Sequence, residues 1–130
     1  MRVNSDDIEL TDEGAYLFNG RPFTGIGFDL DADGRIWSEL EFVDGRQTGV
    51  TKGYERGRLI RETQFLNGVY HGVHRQFDDD GCVEAEEVYE HGICLCRFRR
   101  NIDGELELAF ELLPADPNYK TLELMRKAFA

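Results

Sequence analysis

The chain lacks any apolar run approaching the ~20 residues that a membrane-spanning helix needs. Its opening residues, MRVNSDDIEL, hold no apolar stretch either, so the sequence predicts neither a leader peptide nor an anchor. Cysteine is scarce: Cys82, Cys94 and Cys96 form an odd set of three. Such a set excludes the disulfide framework of a small secreted domain and fits a reducing cytoplasm. Positive charge is also in deficit, with 15 Lys and Arg against 26 Asp and Glu, a formal net charge of −11. Nucleic acid and anionic membrane are therefore excluded as partners, because both are polyanions. The partner this field attracts is a basic protein. The plainer reading of the same charge is that it keeps an exposed sheet soluble.

Sites for chemistry are missing as well. His71 and His74, in VYHGVHRQF, lie on a segment that reads as a turn entering a strand. That spacing places them on opposite faces, with no further ligand beside them, so no metal is expected. Cys94 and Cys96 are two apart on a strand and share a face, and they read as small apolar residues of a repeat. The carboxylates form rows on an open face rather than a pair in a cleft, which a glycosidase-type mechanism requires. No cofactor box and no enzyme are read from this chain.

What is present is periodic glycine. Gly34, Gly57, Gly81 and Gly104 are separated by 23, 24 and 23 residues. A second series, Gly20, Gly45, Gly68 and Gly92, steps by 25, 23 and 24. A third, Gly25, Gly49 and Gly72, steps by 24 and 23 and arrives at Cys96 where the next glycine would fall. Three phased series mark a repeat architecture, in which each unit hides its apolar surface against its neighbours. The 130 residues then form one domain, 1–130.

Each repeat reads as two strands and two turns. The first three glycines of the second series sit in Asn-Gly or Asp-Gly pairs, which favour tight hairpin turns because both central residues take positive φ. The first series closes DADG, ERG, DDDG and IDG turns. Alternation along the longer strands then sorts the faces. Ile36, Leu40 and Phe42, Leu59, Thr63 and Phe65, Val83, Ala85 and Tyr89, and Leu106, Leu108 and Phe110 are expected on one face. Glu39, Glu41, Glu62, Gln64, Glu84, Glu86, Glu105, Glu107 and Glu111 are expected on the other, with Trp37 and Ile60 as apolar residues among the acids. Phe18, Phe42, Phe65 and Tyr89 should line up as an aromatic ladder in the core.

The ends read as caps. ADPNYKTLELMRKAFA predicts a helix over about 117–129, with Asp116 as N-cap, Pro117 in the first turn, and an apolar stripe of Tyr119, Leu122, Met125, Ala128 and Phe129. Ile8, Leu10, TDEG and Tyr16 to Phe18 predict a short N-terminal hairpin over about 6–18. The repeats occupy about 16–112. The fold class is thus mainly β: an elongated, twisted antiparallel sheet of hairpin repeats with a C-terminal capping helix.

The phrases YLFNGRPFTG, FVDGRQTG and FLNGVYHG, each followed by a strand and an Asp-Gly or equivalent turn, resemble the bacterial MORN-like repeat. The variant they are similar to is that of YwqK-type antitoxin or immunity proteins, over roughly Tyr16 to Phe110. The fourth repeat departs from the pattern, with His91 in place of Asn or Asp and Cys96 in place of Gly. The resemblance implies a non-catalytic protein that neutralises a cognate toxin. The residues that would carry binding are Trp37 as anchor and Glu39, Glu41, Glu62, Glu84 and Glu86 as the acids that steer a basic toxin. In the CRFRR segment, Arg97, Arg99 and Arg100 are placed to neutralise Glu84 and Glu86. A scaffold module that self-associates as a homodimer, with no toxin partner, is the alternative.

Overall fold

The computed structural model describes all residues from Met1 to Ala130. Its strands are β1 (Arg2–Asn4), β2 (Glu9–Leu10), β3 (Tyr16–Phe18), β4 (Arg21–Pro22), β5 (Gly25–Leu30), β6 (Ile36–Val43), β7 (Arg46–Gln47) and β8 (Gly49–Glu55). There follow β9 (Arg58–Leu66), β10 (Val69–Phe77), β11 (Val83–Glu90), β12 (Ile93–Arg100) and β13 (Leu106–Glu111), and one helix, α1 (Pro117–Ala128). The ten-stranded sheet runs in the order β1-β5-β6-β8-β9-β10-β11-β12-β13, with β7 paired to β6, and does not close into a barrel. A small three-stranded sheet, β2-β3-β4, accompanies it. From β5 onward every pairing is antiparallel and, apart from β6 with β8 across the short β7, between neighbours in sequence; β1 alone joins in parallel, against β5.

The turn chemistry explains this meander. Asn19-Gly20, Asp44-Gly45 and Asn67-Gly68 take positive φ at both residues, as a two-residue hairpin requires. His91-Gly92 does the same, with φ of 49° and 81°, so the residue that breaks the sequence pattern does not break the turn. These turns also bond to one another. The amide of Gly45 donates to the carbonyl of Phe23 at 2.9 Å, Gly68 to Gln47 at 2.8 Å and Gly92 to Tyr70 at 2.8 Å. A row of turns along one rim is thus tied together outside the main sheet.

Of the turns on the opposite rim, Arg56-Gly57 repeats this construction, with positive φ at both residues, and the other three are built differently. The Asp31 side chain accepts from the amides of Asp33 and Arg35, at 2.9 and 3.0 Å. Asp78 does the same for Asp80 and Cys82, and Asn101 for Asp103 and Glu105. Each such side chain satisfies two loop amides locally, and only the closing glycine has positive φ.

The third glycine series is a set of kinks. Gly49 and Gly72 have φ of 110° and 114°, a region open essentially to glycine. A Cβ at Gly49 would run into the Glu41 carboxylate, and one at Gly72 into the Gln64 amide. Gln64 is held there because its Oε1 accepts from the Val73 amide at 2.8 Å. At Cys96 the backbone has no positive φ, and the bend is made instead by a register shift between Val88/Tyr89 and Cys96/Cys94.

The sheet is a single layer. Its accessible surface is 8639 Å², against roughly 7,000 Å² for a compact protein of this mass. Two small apolar centres stand at its ends. At one, Phe23, Phe42, Tyr16 and Phe18 pack with centroids 4.9–6.0 Å apart, and Ile8 packs over Gly27. At the other, Leu122 of α1 is 1% exposed and Leu112 is buried beside it. Asp116 caps α1 by accepting from the Asn118 amide at 2.9 Å. Phe129 stacks on His91 at 4.8 Å, while Arg126 bonds Glu90 at 2.5 Å, so the helix lies along the rim of bonded turns. No helix is long and apolar enough to cross a membrane.

Several expectations change at this level. The aromatic ladder is two clusters: Phe42 joins the N-terminal group, whereas Phe65 and Tyr89 each pack edge-on against Tyr70 at 5.0 Å. Cys94 and Cys96 do not share a face. The register shift pairs Cys94 with Tyr89 and Cys96 with Val88, which are consecutive residues and point opposite ways. His74 turns to Thr63 Oγ1 at 2.5 Å, and His71 accepts from the His91 amide at 3.0 Å, so the two histidines do not converge.

Candidate protein-binding face

Residues directly paired across antiparallel strands share a face. The register therefore defines one row running through the sheet: Phe28, Glu39, Lys52, Glu62, Arg75, Glu86, Phe98 and Leu108. Three of the expected acids, Glu39, Glu62 and Glu86, do stand in one row, but Trp37 is the extra residue of a bulge: Leu30 pairs with Ile36 and Asp29 with Ser38, so Ile36 takes the place on the face of Glu39 that was expected for Trp37. The face is not acidic, however. Lys52 separates Glu39 from Glu62, and Arg75 separates Glu62 from Glu86.

Every charge in this row except Lys52 has a bonded partner. Arg75 donates from Nη1 to Glu62 at 3.2 Å and from Nε to Glu86 at 3.0 Å. Those hydrogen bonds, with Glu86 first, hold the guanidinium above its ordinary pKa. Tyr54 donates to Glu39 at 2.6 Å, and Arg2 bridges Glu39 from the edge strand. The Tyr54 hydroxyl and then Arg2 hold the Glu39 carboxyl below its usual range. Burial and the nearby Glu39 push Tyr54 up to about 12. The side chains of Glu39, Glu62 and Glu86 are only 18%, 26% and 25% exposed, so this is an ordered ion network rather than a solvated acid fringe.

Glu41 and Glu84 stand apart from the row. Glu41 is folded over the Gly49 kink. Glu84 is exposed at the start of β11. Trp37 is 43% exposed at its bulge, Ile60 is the extra residue of a second bulge between Leu59 and Arg61, and Val50, Val73 and Val88 are half-buried on the face of the row. The arginines of CRFRR do not meet Glu84 or Glu86. Arg97 and Arg99 both turn to Glu87, at 3.0 and 3.4 Å, and Arg100 pairs with Asp78. The reason is parity: Arg97 and Arg99 pair across the strands with Glu87 and Ala85, on the face opposite Glu86. Burial raises the Glu87 carboxyl, but the Tyr89 hydroxyl and Arg99 outweigh it and leave the group below its usual range.

The face expected to be apolar is correspondingly mixed. Beyond Phe42 it carries Arg61, His74, Glu87, Arg97 and Arg99, with the guanidinium of Arg61 laid across Gly53. Burial pushes His74 below its ordinary pKa. The clefts are shallow and peripheral. The one nearest the ion row, about 390 Å³, is lined by Arg2, Arg35, Ile36, Glu39 and Tyr54, whose Glu39, Tyr54 and Arg2 are already bonded to one another.

Lys52 and Arg75 were readable in the sequence. Each falls three residues after a third-series glycine, as Phe28 does, while Glu39, Glu62 and Glu86 fall five after a first-series glycine. Aligning both glycine phases at once places cations between the acids.

No family model matches this chain, and neither a curated protein nor a solved structure matches it.

Proposed function

We propose that this protein is a non-catalytic protein-binding module of the antitoxin or immunity type, acting on a basic toxin by surface complementarity. The observation that carries the reading is Trp37, an aromatic left 43% exposed at the β6 bulge of a single-layer sheet whose Glu39, Glu62 and Glu86 already have partners. A partner landing on Trp37 buries apolar surface without stranding those three carboxylates. Steering then falls to the rim of acid-capped turns, where Asp33, Glu55, Asp79, Asp80 and Asp103 are exposed. The MORN-like phrases of the sequence support the class.

The test is co-expression with the product of the adjacent gene. Rescue of growth and co-purification are expected, and both should be lost in Trp37→Ala with Asp79→Lys and Asp80→Lys. Intact rescue by that variant, or no interaction at physiological salt, would falsify the reading. The competing reading, a self-associating scaffold, draws on the unpaired outer edge of β13. Light scattering that finds a stable dimer and no toxin partner would favour it.

A further inference from the structure

The two edges of the large sheet are not alike. β1 is three residues long, runs parallel to β5 and is followed at once by the 3-10 turn Ser5–Asp7. That edge is short and blunted. β13 is six residues long, ends the sheet, and five of its six residues are exposed. Leu106 and Leu108 are 41% and 50% exposed on one face, and Glu107 points to the other. The helix α1 packs back against Leu95, Cys96 and Leu112 and reaches β13 at its last residue, Glu111, leaving Leu106, Glu107 and Leu108 exposed.

The electrostatics of this edge are unbalanced in a specific way. Its inner neighbour β12 carries Arg97, Arg99 and Arg100. Arg99 is the direct cross-strand partner of Glu107. Yet Arg97 and Arg99 bond Glu87, and Arg100 bonds Asp78; Arg97 also lies over the Phe110 ring, but none of the three pairs with a carboxylate of the edge. Glu105, Glu107 and Glu111 are left with no salt bridge. A second copy of β13 would set these carboxylates against their own kind, which disfavours self-pairing. A strand with cations at alternate positions meets Glu105 and Glu107 directly, while Glu111, beyond the bulge at Ala109, stands on the Leu108 face.

We propose that β13 is an acceptor edge, to which a basic partner adds an extended segment alternating cationic and apolar residues. Main-chain hydrogen bonds would extend the sheet, the cations would face Glu105 and Glu107, and the apolar side chains would cover Leu106 and Leu108. The inference rests on the reading that the chain binds a basic protein, and it adds the place and the mode.

The probe is a synthetic peptide of about seven residues alternating lysine and valine, titrated into the full chain. Binding should protect the amides of β13 from hydrogen exchange and vanish when the peptide backbone is N-methylated. The variant carrying Glu105→Lys, Glu107→Lys and Glu111→Lys should bind about tenfold more weakly or worse. Glu13→Lys, a charge reversal at the exposed N-terminal turn, should leave affinity unchanged. Equal binding of the N-methylated peptide, protection at another strand, or dimerisation through β13 would each overturn the proposal. Should the toxin partner bind the triple variant fully but lose Trp37→Ala, partner binding stands and the edge does not. Should the peptide add to β13 while no basic protein is neutralised, the edge stands and the antitoxin reading does not.

Discussion

The two long rims of the sheet are both made of turns that end in glycine, yet they are different constructions. Asp44-Gly45 and Asp33-Gly34 are the same dipeptide. In the first, Asp44 takes a φ of 48° and the turn bonds to the next turn along the rim. In the second, Asp31 two residues earlier gathers the loop amides, and Asp33 never enters positive φ. Loop length and the residue that opens the loop decide which turn forms. The first rim is tied, carries apolar residues such as Val43, Leu66 and Val69, and is partly covered by α1. The second is bare and mostly polar, with Ile102 as its exposed apolar residue, and is capped by its own side chains at three of its four turns, Arg56-Gly57 being the exception. Structure is maintained along one rim, and charge is displayed along the other.

Removing the cover should break this contrast most severely. Leu122→Ala empties the one almost fully enclosed side chain under α1 and should cost about 3 kcal/mol, seen as a lower urea midpoint. Gly49→Ala comes next, at about 2 kcal/mol, because its φ of 110° suits no L side chain and Glu41 must give way. Gly34→Ala on the bare rim meets no neighbouring atom and should cost about 1 kcal/mol. If the two glycines prove equally tolerant, the rims do not differ as described. Asp31→Ala should likewise cost about 1 kcal/mol by freeing two loop amides, and Asp31→Asn should restore most of it.

A smaller effect sharpens the comparison by pH. His74 has its pKa lowered by burial from an ordinary 6.5, so the unfolded chain takes up the proton first. Stability should therefore fall as pH drops through about 6.5, and His74→Gln should flatten that part of the curve in urea titrations. Glu39 and Glu87 are held below their ordinary range by hydrogen bonds to the charged form. Their contribution is present above the unfolded pKa and is lost at more acid pH, as the folded groups titrate.

The strands, turns and capping helix were legible in the sequence because glycine phase and turn residues are local signals. His91 shows how far that goes: the turn tolerates a substitution that the pattern disfavours, since Gly92 and the bonded rim impose the geometry. β1 was not legible, as Arg2–Asn4 is too short to show alternation and its partner is remote. The sorting of faces failed for a different reason. Register shifts near Leu30, Tyr54, Phe77, Tyr89 and Phe98 insert or skip a residue, and each resets parity for the rest of the strand. Alternation counted from a glycine cannot see them. Of the site, Glu39, Glu62 and Glu86 were found, but the cations between them lie on strands whose phase belongs to another glycine series.

The turn-to-turn bonds along the tied rim have a consequence for how such a chain changes length. Each bond reaches only from one repeat to the next, as from Gly45 to Phe23 and from Gly68 to Gln47. A duplicated or lost interior repeat would find the same donor and acceptor waiting on either side. The length of the sheet is therefore free to drift by whole units, while its two end pieces are fixed parts that must fit whatever repeat comes last.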